Sequence, residues 1–307
     1  MNDKSKTISE KIDWFFDRFK HIPYVSPALA VIFILAVVPT LFVLLISLTN
    51  YNLAMNIGKL RFVGLSHYIR LFSGKDIIFN YSLFITIFIS AVIIFANLIV
   101  GYIFALLLDA REFRLKGVIL AGLIAPIVVT PSIMTQVWVL MLNAEFGVVN
   151  YLIETLFGVR PAWLSPELAL FSVSFVMFWF ATPYVALILY AGLRTLPTDP
   201  YEAAEIDGAN FIQRFRYITL PLMKPLIILV LLMRFIDMFK TFEMPFLLTS
   251  GGPGYRTTFL GLHLYKQGFG VNGFLGYSSA ISVVLILLVV VLSMFLIRIM
   301  RKNKGLY

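Results

Sequence analysis

The chain has 307 residues, of which 60% are hydrophobic and only 13% charged, with a formal net charge of +9. A soluble domain is about half apolar and about a quarter charged, so this composition excludes a soluble enzyme and a disordered chain and points to an all-α integral membrane protein. There is no cysteine, which removes disulfides and thiolate chemistry, and His21, His67 and His263 have no ligand spacing, so no metal site is expected. The basic balance fits loops held on the cytoplasmic side better than nucleic acid, which is not expected as a partner.

In chain order, residues 1–27 come first, with Ile8, Ile12, Phe15, Phe16 and Phe19 at helical spacing between basic residues. This segment is too long and too charged for the start of a cleaved signal peptide. It reads equally as an amphipathic helix lying on the inner membrane surface or as a cytoplasmic tail with no membrane role. A bilayer-spanning helix needs about 20 mostly apolar residues. Residues 28–48, 82–108, 117–142, 168–192 and 277–297 meet this without any charged side chain, and residues 226–248 meet it with charges, giving six spans. Pro39, Pro126 with Pro131, and Pro183 lie inside three of them, as kinked membrane helices allow. A single six-span membrane domain is therefore expected over residues 28–300, with a cytoplasmic tail over 301–307.

Lys and Arg set the orientation. The N-terminal segment, the second and fourth loops and the tail carry 16 of them, and the first, third and fifth loops carry seven. Both termini are predicted to be cytoplasmic, although Lys59, Arg61, Arg70 and Lys75 in the first loop run against the rule.

Catalytic signatures are missing. No GxxxxGK[ST] occurs, so the chain does not hold ATP through a P-loop, and no GxSxG occurs. The glycines at 268, 270 and 273 follow no strand and read as a loop. Of 16 carboxylates, 14 fall in loops or tails, which leaves little for an intramembrane enzyme.

The fourth loop, residues 197–225, carries the most information. Asp199 reads as a helix N-cap with Pro200 at the first helical position, and Glu202 and Glu205 lie toward the positive end. Gly208 turns the chain. A second short helix, residues 211–217, would present Phe211 and Phe215 on one face, with Pro221 and Pro225 stopping it before the membrane. A helix-turn-helix on the cytoplasmic surface suits docking of a soluble partner, or packing on its own bundle.

Glu202-Ala203-Ala204, Gly208, Ile218 and Leu220-Pro221 stand at the spacing of a longer pattern. The segment resembles the EAA loop of the membrane subunits of binding-protein-dependent ABC importers. Phe62-Val63-Gly64-Leu65-Ser66-His67-Tyr68 is similar to the "F-x-G-x-x-N-Y" segment of the carbohydrate branch, with His67 where Asn is usual. Leu248-Thr249-Ser250-Gly251-Gly252-Pro253 is similar to its "L-T-x-G-G-P" turn. The resemblance implies a type I ABC importer permease fold in a bacterial-type cell membrane. It implies two ATPase subunits that bind ATP and Mg and dock on the EAA loop, with no cofactor held by this chain. It also implies a second permease, a heterodimer being favoured, and an extracytoplasmic solute-binding protein. Glu202, Ala203, Ala204, Asp207, Gly208, Phe211, Phe215, Leu220 and Pro221 become the coupling residues, and the solute is a sugar, oligosaccharide or polyol.

The fifth span carries Arg234, Asp237, Lys240 and Glu243, three apart and alternating in sign. Intramembrane charges default to function, while i,i+3 neutralisation offers a packing role. On a continuous helix Arg234 and Glu243 face opposite sides, and Asp237 with Lys240 lie close in angle. Asp237 and Lys240 are therefore the expected solute contacts, with Arg234 and Glu243 beside the pathway. The resemblance implies that the fourth span contributes as well, through Met177, Trp179 and Tyr184. The competing reading is a stand-alone secondary transporter or channel, for which coupling-ion sites and inverted repeats would be needed.

Overall fold

The computed structural model describes residues 22–109, 116–271 and 273–302. The expected amphipathic helix therefore lies almost wholly outside the described residues, as does the end of the tail. Among the described residues there is no strand, only a bridge between Thr49 and Phe62. This is the all-α membrane architecture that the composition requires.

The first span, α1, runs through Ile22–Ile32, a π-helical turn Phe33–Val37 and Val38–Ser47. After a short outer helix α2 (Ser66–Phe72) comes α3 (Ile77–Asp109). Its 33 residues rise about 50 Å, more than the roughly 30 Å hydrocarbon core, so α3 projects beyond the membrane. The third span is broken: α4 (Lys116–Val128) and α5 (Pro131–Met141) meet at 106°. Pro131 opens α5 and fixes the extended Thr130 ahead of it, which turns the expected kink into a corner. A short helix α6 (Val148–Phe157) precedes α7 (Ala169–Leu193).

The fifth span departs from expectation. Helix α8 (Asp199–Ile206) forms the first arm of the fourth loop. The second arm does not stop at Pro221. It continues as one helix, α9 (Phe211–Lys240), through a π turn at Phe215–Thr219. Pro221 sits in the first turn of the segment that follows and Pro225 is accommodated within it. The two π turns share a cause. In each, an amide bonds five residues back, Val38 to Phe33 and Leu220 to Phe215, immediately ahead of Pro39 and Pro221. The wider turn gives room to the proline ring.

At its far end α9 stops at Lys240, well short of residue 248. Thr241 is extended, and a separate helix α10 (Glu243–Thr249) follows. Pro245 has no N–H for the Thr241 carbonyl, which is why a continuous helix fails there. The helix Leu260–Phe269, α11, closes over the break: a Cβ on Gly261 would lie 2.7 Å from the Thr241 carbonyl oxygen. Helices α11 (Leu260–Phe269) and α12 (Leu275–Lys302) complete the described chain.

Helices α3 and α7 form the central pair. Gly101 lets them approach, since a Cβ there would be 2.8 Å from Val185 Cγ1 and 3.1 Å from the Ala186 amide nitrogen. Buried Asn97 donates to the Phe178 carbonyl and to Thr182 Oγ1, both at 2.9 Å, one turn ahead of Pro183. Around this pair pack Trp138, Val173, Met177 and Met238 toward one end and Ala105, Leu189, Met223 and Val230 toward the other. Helix α1 is outermost and packs against α12. Its apolar side chains face outward, as a hydrocarbon solvent permits.

Loop contacts fix the parity of the crossings. The first and fifth loops join through Leu53 N–H to the Gly273 carbonyl at 2.9 Å and Gly276 N–H to the Tyr51 carbonyl at 2.8 Å. The third joins them through Arg256 to the Pro166 carbonyl at 2.6 Å. At the other end Arg194 lies 3.8 Å from Asp109, and Lys116 sits 5.4 Å over the Tyr190 ring. The corner helices α4 and α5 therefore start at one end of α7 and finish at the other, where Trp138 meets Phe175 at 5.6 Å. They make one broken crossing, giving six among the described residues, with loops two and four on the side of the described termini.

Candidate functional site

Two sites lie on the same helix. The first is the elbow of α8 and the head of α9. The cap of α8 falls one residue earlier than expected, at Thr198, and Asp199 and Glu202 occupy the first turn at the positive end of the helix. Gly208, at φ +75°, makes the left-handed turn, and nothing lies within 4 Å of where its Cβ would be. Asn210 and Gln213 then form a reciprocal capping box with bonds of 2.9 and 2.8 Å that starts α9. Glu202, Ala203, Asp207 and Gly208 are exposed, with Ala204 half-buried. Leu220 and Pro221 are also exposed, further along α9.

Phe211 and Phe215 stack at 6.4 Å as the i,i+4 spacing requires, and Phe215 meets the Tyr102 ring edge-on at 5.5 Å. The elbow is tied down by Tyr201 to Thr219 Oγ1 at 2.9 Å and by Arg214 to Glu205 at 3.7 Å. Between the elbow and the ends of α3 and α7 lies a groove of ≈ 780 Å³, lined among others by Asp109, Arg194, Tyr201 and Phe211. Ile206 is 88% exposed at the tip.

The second site is a cavity of ≈ 210 Å³ between the corner of α5, the middle of α7 and the break after α9. Its lining includes Met177, Arg234, Asp237 and Glu243. The expectation that Arg234 and Glu243 face opposite sides fails, because it assumed a continuous helix. The break at Thr241 and Phe242 swings Glu243 back to the side of Arg234. Arg234 Nη1 lies 3.4 Å from Asp237 Oδ2, and Ser132 donates to Glu243 Oε1.

The remaining candidates lie elsewhere. Lys240 is exposed and outside the lining. Trp179 packs edge-on against Trp138 at 5.3 Å, in the core. Tyr184 points its hydroxyl at Met233 Sδ, 3.6 Å away. Of the seven pathway candidates the structure thus gathers Arg234, Asp237, Glu243 and Met177 and sets Lys240, Trp179 and Tyr184 apart. Ser132, Tyr201, Thr219, Arg194 and Asp109 were missed.

Six helical crossings, one broken at a corner and one ending at a charged cavity, with an elbow presented on one side, are the parts of a membrane-spanning transport subunit. The comparisons make this specific. The chain belongs to the family described as binding-protein-dependent transport system inner membrane component, whose model matches residues 97–303, and it is the permease subunit of an ABC importer. It is 37% identical over 267 residues to the trehalose/maltose transport system permease protein MalF of Thermococcus litoralis, covering 86% of this chain and 88% of that one. It is 30% identical to the sulfoquinovosyl glycerol transport system permease protein SmoG of Agrobacterium fabrum, covering 93% and 91%. A bacterial ABC transporter involved in the import of the acidic polysaccharide alginate shares the fold, with a TM-score of 0.79 at 19% identity, over 95% of this chain and 99% of that one.

Proposed function

We infer that this permease forms one half of a carbohydrate pore and pairs with a second, non-identical permease. An extracytoplasmic binding protein delivers the solute. Two ATPase subunits, which hold the ATP and Mg, dock on the elbow from Glu202 to Pro221. The permease supplies the pore and the lever and hydrolyses nothing itself. The coupling surface lies within residues 197–225 of a domain that spans residues 28–300 of a multi-pass cell-membrane protein.

One observation carries this reading. The elbow and the charged cavity are joined by a single helix, α9, from Phe211 to Lys240. Asp237 stands 26 residues, or about 39 Å, from Phe211 along the helix axis. A displacement of the elbow is therefore a displacement of the cavity wall. The carbohydrate class is supported by the relatives named for trehalose, maltose and sulfoquinovosyl glycerol. The test is purification of the tagged chain from its native membrane, followed by reconstitution of whatever accompanies it. A P-loop ATPase, a second permease and sugar uptake driven by ATP are expected. A chain that emerges alone and transports by itself overturns the proposal in favour of a secondary transporter.

A further inference from the structure

The charges of the cavity bound the charge of the solute. Its lining holds two carboxylates, Asp237 and Glu243, against one guanidinium, Arg234, with Thr241 as a further polar side chain among apolar ones. Lys240, the other cation of α9, is exposed and outside the lining.

Arg234 is the unusual member. It is only 8% exposed, with one face committed to Asp237 at 3.4 Å and to Met238 Sδ at 3.5 Å. Its Nε is buried and has no hydrogen-bond partner. A guanidinium donor left unpaired in a low-dielectric interior is costly; this one is enclosed by the protein, so the cavity meets a guanidinium already paired with Asp237. Glu243 has one carboxylate oxygen bonded by Ser132, and its other oxygen remains as an acceptor.

Resting on the carbohydrate reading above, we propose that this cavity selects a neutral polyhydroxylated solute and rejects an acidic one. Neighbouring hydroxyls of the solute donate to Asp237 and Glu243. Met177, Phe180, Met238 and Met244 give the C–H face of a sugar ring an apolar wall. An anionic group in this space would face two carboxylates, with the one guanidinium already paired. The Asp237 side chain is 54% exposed, so water screens part of this repulsion, yet like charges brought together remain unfavourable.

The test uses the complete transporter in proteoliposomes. The probes are a panel of neutral sugars and polyols, together with the uronates made from the same sugars. Each is scored by ATP-driven uptake in wild type, Glu243→Gln and Asp237→Asn, and co-purification of the other subunits shows that the variants are folded. Wild type is expected to take up one or more neutral compounds and to exclude the matching uronates. Either variant is expected to narrow that preference by about tenfold, the equivalent of about 1.4 kcal/mol. A wild type that prefers a uronate overturns the charge assignment and leaves the carbohydrate reading standing. Uptake of nothing in either panel overturns the carbohydrate reading itself. Unchanged discrimination in two folded variants shows that the cavity does not select.

Discussion

The Tyr201 hydroxyl donates to Thr219 Oγ1 at 2.9 Å, joining the exposed helix α8 to the π turn at the head of α9. Thr219 is buried, and Pro221, two residues on, sits in the first turn of the straight run to Lys240. The bond therefore links the proposed docking surface to the helix that carries Arg234 and Asp237. Removing it by Tyr201→Phe costs about 1 kcal/mol of linkage, roughly a fivefold effect on an equilibrium. Docking should survive. Uptake per ATP hydrolysed in proteoliposomes should fall by roughly that factor, and an unchanged ratio would show that the elbow and α9 move together without this contact.

Gly208 separates conformation from docking. Its φ of +75° carries a strain of about 1–2 kcal/mol for most side chains, and the space around it is open. Gly208→Asn should be well tolerated, because Asn adopts this conformation readily. At Gly208→Trp the Cβ meets nothing within 4 Å, and on the proposed docking mode the ring projects toward the partner. The variant should fold and reach the membrane, yet lose co-purifying ATPase. Glu202→Lys, which reverses the charge in the first turn of α8, should weaken the same association. Full ATPase recovery in both would remove the elbow from the docking surface.

What the sequence made legible follows from what each signal measures. Hydropathy placed α1, α3, α7 and α12 within a few residues, because the bilayer requires length and apolarity whatever the partners. The elbow was legible from Pro200, Gly208 and the prolines that follow. Its second half was misread because Pro221 was taken as a stop, whereas a proline in the first turn of a helical segment lacks only a donor that the π turn leaves unneeded. The fifth span was misread in the opposite sense. Pro245 lies inside residues 226–248, and its missing N–H breaks the helix at Thr241. The angular argument about Arg234 and Glu243 fell with that break. Ser132 was out of reach, because its contact with Glu243 joins elements 111 residues apart.

The α3–α7 interface yields a prediction about stability. Asn97 makes two interhelical bonds, each of a kind worth about 0.6 kcal/mol in membrane proteins and up to about 1–2 kcal/mol. Asn97→Ala should lower the melting temperature of the detergent-purified complex measurably. Gly101→Val should do more, because its Cβ would already crowd Val185 and the Ala186 backbone before the methyl groups are counted. Overpacking of this kind costs about 1–3 kcal/mol. Equal melting temperatures for wild type and Gly101→Val would mean that the two helices are free to separate.

The outer junction carries a pH dependence whose sign can be worked out. Asp76 caps the Phe79 amide, accepts from Tyr277 and lies 3.9 Å from His263 Nε2, tying the start of α3 to α11 and α12. Burial pushes the His263 imidazole below its ordinary value of 6.5; Asp76 pulls it back up, and Lys266 adds to the lowering. Burial works to raise the Asp76 carboxyl, but Tyr277, the Phe79 amide, His263 and Arg70 together hold it below its ordinary 3.8. For His263 the unfolded state takes up the proton more readily. Stability is then full above pH 6.5 and declines as the pH falls from there to the lowered folded value. The Asp76 contribution is present above 3.8 and is lost only below it. Mild acidification therefore weakens the junction through His263 alone. Melting of the purified complex should drop as the pH falls below about 6.5 in wild type, and the slope should flatten in His263→Gln. An identical slope in the variant would assign the acid sensitivity to another group.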